Sequence, residues 1–219
     1  MRPVNKGPAP EKQYRKYQDA EPDLEKCLGP YCSFCEMPIR HVPEVEHIEA
    51  KSAGGEELKW ENLLLSCKYC NTRKGTQVKK GDKEKYLWTD KDDTFHAYSY
   101  DKDLPRLNEE YLKKQGEDIR QKALNLYQLL KLNNIPLTPF DKDRRYALRN
   151  EARNCALSSK EGLKKMQNTS SKEVYLKQTK ILAESVGFFL VWMEVFKEDE
   201  EVKKLLISVF KGTKEEYCL

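Results

Sequence analysis

Four cysteines in two tight pairs constrain this chain more than any other feature. Cys32-Ser-Phe-Cys35 and Cys67-Lys-Tyr-Cys70 are separated by 31 residues. Two residues between cysteines let both sulfurs turn toward one point. Two such pairs complete a tetrahedral thiolate shell of the kind that holds structural zinc. The other readings are buried free thiols or a single redox pair. A reducing cytosol disfavours disulfides, so the pattern favours metal. The stretch from about Tyr31 to Thr76 is then a module folded around that point. Cys27, Cys155 and Cys218 have no partner at ligand spacing and read as core or surface thiols.

Composition excludes some classes. Of 219 residues, 35% are charged and 38% hydrophobic. The longest apolar run, Val186 to Met193, lies between Glu184 and Glu194 and falls far short of the roughly 18 residues that a spanning helix needs. Met1 to Pro30 has no apolar stretch behind a basic start, so a cytoplasmic chain with no membrane partner is expected. Net charge is only +4, yet two stretches are strongly basic. Ser66 to Lys85 holds seven basic and two acidic residues, and Arg144 to Lys165 holds the same numbers. Basic charge concentrated in this way suits nucleic acid.

Residues 1–12, with Pro3, Gly7, Pro8 and Pro10, read as an extended, unpacked arm, and 13–28 as one helix. Val45 to Ile48 reads as a short strand, Lys51 to Gly55 as a glycine turn, and Asn71 to Lys80 as a helix. The aromatic stretch Tyr86 to Tyr100 reads as a hairpin turning at Asp90 to Asp93. Three-to-four spacing of Leu112, Ile119, Ala123, Leu126, Leu129 and Leu130 predicts a helix over 110–132, ended by Pro136 and Pro139. Further helices are expected over 141–156, 172–197 and 202–210. The apolar 186–196 segment is expected to form the core of the helical part.

Within the cysteine frame stand Glu46, His47, Asn62, Asn71 and Lys74. Singly, each has a plain structural reading: a solvated carboxylate, a satisfied imidazole, a turn cap, a helix cap. Together they form a pattern: Cys32-x-x-Cys35, Val45-Glu46-His47-Ile48, Gly54-Gly55, Asn62-Leu63-Leu64-Leu65, Cys67-x-x-Cys70-Asn71 and Lys74-Gly75. It resembles the four-cysteine branch of the HNH endonucleases.

The resemblance implies an α+β protein: a zinc-stapled ββα-metal nuclease module, here followed by an aromatic hairpin and a helical C-terminal part. It implies that His47 is the general base and that Asn62 steadies the loop behind it. Glu46 and Asn71 would ligate one catalytic divalent ion, Mg²⁺ or Mn²⁺. An imidazole can take a proton from water near neutral pH, and a hard cation takes the charge of the leaving oxygen. Zinc held by Cys32, Cys35, Cys67 and Cys70 would be structural, because four thiolates leave no open position.

Lys74, Lys79 and Lys80 are expected to contact phosphates from one helix. Arg145, Arg149 and Arg153, at i, i+4 and i+8, would form a second ridge.

A looser likeness spans most of residues 1–157. It rests on Met1-Arg-Pro-Val-Asn-Lys-Gly-Pro-Ala-Pro10, Tyr86-Leu-Trp-Thr-Asp90 and Asp143-Arg-Arg-Tyr146. These segments are similar to HNH subunits of Septu anti-phage systems, which implies an ABC-type ATPase partner and a defence role. The expected organisation is therefore an arm and helix over 1–30, the nuclease module with its hairpin over 31–100, and a helical region over 101–219. The expected activity is hydrolysis of nucleic-acid phosphodiester bonds, DNA ahead of RNA. The competing reading is a non-catalytic zinc ribbon that binds nucleic acid or a protein; Glu46-His47 with Asn71 separates the two.

Overall fold

The computed structural model describes residues 1–102, 104–138 and 140–219. Pro139 therefore lies outside the described residues. The elements follow in order: α1 (Glu21–Leu28), β1 (Glu44–His47), β2 (Leu63–Ser66), α2 (Lys68–Lys74), α3 (Thr94–Ala97), β3 (Tyr98–Asp101), β4 (Leu104–Leu107), α4 (Glu109–Gln115), α5 (Glu117–Leu129), α6 (Arg145–Met166), α7 (Lys172–Val186), α8 (Phe189–Val195) and α9 (Glu200–Val209). The mixture of helices with two small antiparallel sheets is the α+β arrangement expected.

β1 and β2 pair antiparallel with Glu44 opposite Ser66 and Glu46 opposite Leu64. Strand alternation places Glu44 and Glu46 on one face and Val45 and His47 on the other. β2 is buried on both faces, with Leu63, Leu64 and Leu65 all fully enclosed, because α1 packs against it. α2 packs against β1 and completes a ββα unit.

Several local expectations are corrected. The N-terminal arm is extended but packed: Val4 donates to the Thr89 carbonyl at 2.7 Å, and the buried Lys6 ammonium pairs with Asp90 at 3.0 Å. Residues 13–28 are not one helix, since a short 3-10 turn over Tyr17–Ala20 precedes α1.

α2 runs over 68–74 rather than 71–80. The Cys67 sulfur caps its start by accepting the Cys70 N–H, and Gly75 ends it at φ +50°. The aromatic stretch is not a hairpin: Asp93 caps α3 there, and the hairpin lies later, with Tyr98 opposite Leu107. The 110–132 helix is broken between α4 and α5 at Gly116. α6 is longer than expected and reaches Met166. The last short helix, α9, spans Glu200–Val209.

The predicted 172–197 helix breaks at Gly187 and Phe188, both at positive φ. The cause is a close approach. A Cβ on Gly187 would stand 2.7 Å from the Glu36 carbonyl and from Pro38, so only glycine lets the chain turn against the cysteine knuckle. Glu36 then holds the turn: its carbonyl accepts the Phe188 N–H at 3.0 Å, and its carboxylate accepts the N–H groups of Arg2 and Leu190. The apolar segment beyond forms the core expected of it, with Phe188 to Met193 and Phe196 buried. This places the C-terminal helices directly on the cysteine cluster.

Candidate active site

The four expected metal ligands converge. The sulfurs of Cys32, Cys35, Cys67 and Cys70 lie within 4.8 Å of one another, all buried, and Cys35 and Cys67 are 3.7 Å apart. Zinc–sulfur bonds of about 2.3 Å in a tetrahedron give sulfur–sulfur edges of roughly 3.8 Å. The donor set and its spacing thus fit structural zinc. Burial pushes the Cys35 thiol upward, while at Cys32 contacts with the other three cysteine sulfurs overcome burial and hold the thiol low. Arg145 reaches the Cys70 sulfur at 3.5 Å. Cys27, Cys155 and Cys218 stay free and outside the cluster.

His47 is buried at the end of β1, and its Nε2 lies 3.0 Å from the Glu57 carbonyl. A carbonyl only accepts, so Nε2 carries the hydrogen, which leaves Nδ1 with the lone pair. Burial lowers the His47 pKa below that of an ordinary imidazole, which keeps the ring neutral near pH 7. Its ring also packs edge-on against Tyr17, with centroids 4.7 Å apart.

Asn62 positions this arrangement. Its side chain accepts the Glu49 N–H at 2.8 Å and donates to the carbonyls of Glu49 and Glu56 at 2.9 and 2.8 Å. The residue after Glu56 supplies the carbonyl that orients His47. Gly55 belongs to the same loop, where a Cβ would stand 2.0 Å from the Glu49 carbonyl. Asn62→Ala leaves buried backbone groups unpaired, a cost of about 1–3 kcal/mol. It is expected to lower the melting temperature at unchanged zinc content. A variant with wild-type melting would remove this role.

Glu46 and Asn71 stand on facing elements, β1 and α2. Burial raises the Glu46 carboxyl pKa to about 7, and Lys74 opposes the shift from 2.7 Å. Asn71 donates its amide to Glu44 at 2.6 Å. Glu44 also pairs with Lys68 at 3.0 Å. β1 and α2 thus carry two carboxylates and an amide, with the Lys74 ammonium on Glu46 and the Asn71 amide on Glu44.

The basic residues divide. Lys74 is fully buried on Glu46, so it does not present its ammonium to solvent as expected. Lys79 and Lys80 are exposed, but they follow Gly75 and lie outside α2. Arg145 and Arg149 do not form an exposed ridge. Each is 1% exposed, since α6 turns that face inward, and Arg145 is occupied by Asp143 at 2.9 Å. Only Arg153 of that series is partly accessible.

Sequence reasoning missed Glu44, Tyr17 and Glu57. Period-two alternation from Glu46 was a signal for Glu44. Nothing local marks Tyr17, which arrives from 30 residues upstream, or Glu57, which acts through its backbone.

Residues 32–77 match the family model described as HNH endonuclease. No curated protein matches the chain, and no solved structure does. The match covers the cysteine cluster, both strands and α2, and it points to a nuclease that binds nucleic acid.

Proposed function

We propose that this chain is a metal-dependent endonuclease that hydrolyses phosphodiester bonds, with DNA as its substrate. The observation that carries the reading is an imidazole oriented by a backbone carbonyl, His47 on Glu57, at the end of a strand whose other face carries the buried Glu46, within a segment that matches the HNH model and apart from the four-cysteine cluster. A zinc staple alone has no use for an imidazole oriented by a carbonyl or for a buried carboxylate on the opposite strand face.

His47 Nδ1 takes a proton from the attacking water, and the Glu57 carbonyl holds the ring in the tautomer that can do so. Asn62 keeps the loop carrying that carbonyl in place. Glu46 and Asn71 would hold Mg²⁺ or Mn²⁺, for which oxygen donors are suited. When bound, such an ion supplies Lewis-acid stabilisation of the leaving oxygen. Lys74 pairs with Glu46 from the buried side at 2.7 Å. Lys79 and Lys80 add accessible charge near the glycine turn, through the contact of Lys80 N–H with the Ala53 carbonyl at 3.2 Å.

The likeness of residues 1–157 to HNH subunits of Septu systems supports a place for this nuclease in anti-phage defence, beside an ABC-type ATPase.

Mn²⁺ titration followed by water-proton relaxation tests the metal assignment. The zinc-loaded wild type is expected to bind Mn²⁺ and Glu46→Gln to lose most of that affinity together with plasmid cutting. Equal Mn²⁺ affinity in both proteins would contradict the assignment.

A further inference from the structure

The outer side of α2 meets α5 in an open groove of about 640 Å³. Arg73, Lys85 and Lys131 line it, together with the amides Gln77, Asn125 and Gln128, and among the described residues no acidic side chain does. We infer that this groove is a track for the sugar–phosphate backbone of double-stranded DNA, engaged a few nucleotides from the bond that is cut. The inference rests on the nuclease reading and adds a surface to it, because α5 lies beyond the matched HNH segment.

Three observations carry it. The first is charge: three cations face one groove together with the Gln128 amide, while Gln77 and Asn125, also in the lining, already donate to backbone carbonyls of the walls. Among the described residues, the only carboxylate paired to these cations is Asp82, which holds Lys85 at 2.7 Å from outside the lining.

The second is position. Asn71 and Lys74 lie on the β1-facing side of α2, whereas Thr72 and Arg73, between them in sequence, line the groove. A helix is about 10–12 Å across. Duplex DNA advances roughly 3.4 Å per step on each strand. A strand leaving the Glu46 side thus reaches the groove after about three steps.

The third is rigidity. Arg145 donates to the carbonyls of Leu130 and Lys131 at 3.0 and 2.8 Å, to the Cys70 sulfur at 3.5 Å, and its guanidinium stacks on Tyr69. One buried side chain therefore fixes the end of α5 against α2. Arg73 is oriented by the same Tyr69, whose hydroxyl accepts from it at 2.6 Å. The α2 wall and the end of α5 are thus tied to each other and to the cysteine cluster.

The test is fluorescence anisotropy of a labelled DNA duplex in EDTA over a salt series. Arg73→Gln/Lys131→Gln is compared with wild type. Because Arg73 touches Tyr69, the exposed pair Lys85→Gln/Lys131→Gln is measured as well, and Lys164→Gln/Lys165→Gln on α6 serves as a charge-matched control. Each lost phosphate contact lowers the slope of log affinity against log salt by about 0.9. Each groove pair is expected to lower it by about 1.8, equally for unrelated sequences, while the control keeps the wild-type slope. A groove pair that keeps the wild-type slope overturns the track and leaves the nuclease reading standing if the wild type still cuts plasmid. Equal losses in groove and control variants reduce the effect to net charge and also overturn it. A wild type that binds no duplex at all overturns both the track and the DNA reading.

Discussion

His47→Ala is expected to slow plasmid cleavage by roughly 10²–10⁴-fold, the contribution of a positioned general base. Zinc content should not change, because the cysteine cluster does not include His47. Melting should shift only slightly, since the imidazole makes one hydrogen bond and one ring contact. The comparison with Asn62→Ala is informative. That variant loosens the loop and costs stability, whereas His47→Ala removes the proton acceptor and costs rate. Wild-type cutting by His47→Ala would refute its role as base.

The largest effect on stability is expected from Cys67→Ser. Zinc in small cysteine sites contributes an apparent binding free energy of roughly 10–16 kcal/mol at neutral pH. That is as large as the whole stability of an ordinary domain, about 5–15 kcal/mol. Cys67 also caps α2 through its sulfur. Serine is itself a good cap, so the substitution removes the thiolate while leaving the capping function. The variant should carry no zinc by elemental analysis and should lose cooperative melting by circular dichroism. The Glu36 and Arg145 contacts carry the damage into the C-terminal helices. Cys155→Ser, outside the cluster, should behave as wild type. Zinc retained by Cys67→Ser, or melting unchanged by it, would contradict the structural-zinc account.

Features set by short-range chemistry were legible in the sequence. The two cysteine pairs converge because two-residue spacing and a capped helix turn suffice to aim them. β1 lies where Val45 to Ile48 predicted it, one residue displaced. Features set by distant packing were not legible. Arg145 and Arg149 recur at helical spacing, but spacing alone does not say which face turns inward. That is decided by Asp143, by two carbonyls at the end of α5 and by the Cys70 sulfur. Phe188 sits in an apolar run that reads as unbroken helix, and the break comes from the Glu36 backbone across the fold. Lys74 looked like a phosphate contact because its partner, Glu46, lies on another element.

DNA cleavage by this chain is proposed to need both a divalent cation at Glu46 and the neutral imidazole of His47. The most direct measurement is a time course of supercoiled plasmid relaxation by zinc-loaded wild type and by His47→Ala, each in Mg²⁺ and each in EDTA. The account predicts cutting by the wild type in Mg²⁺, loss of that cutting in EDTA, and only trace cutting by the variant in either. Cutting that survives EDTA, or that His47→Ala performs as fast as the wild type, would contradict it.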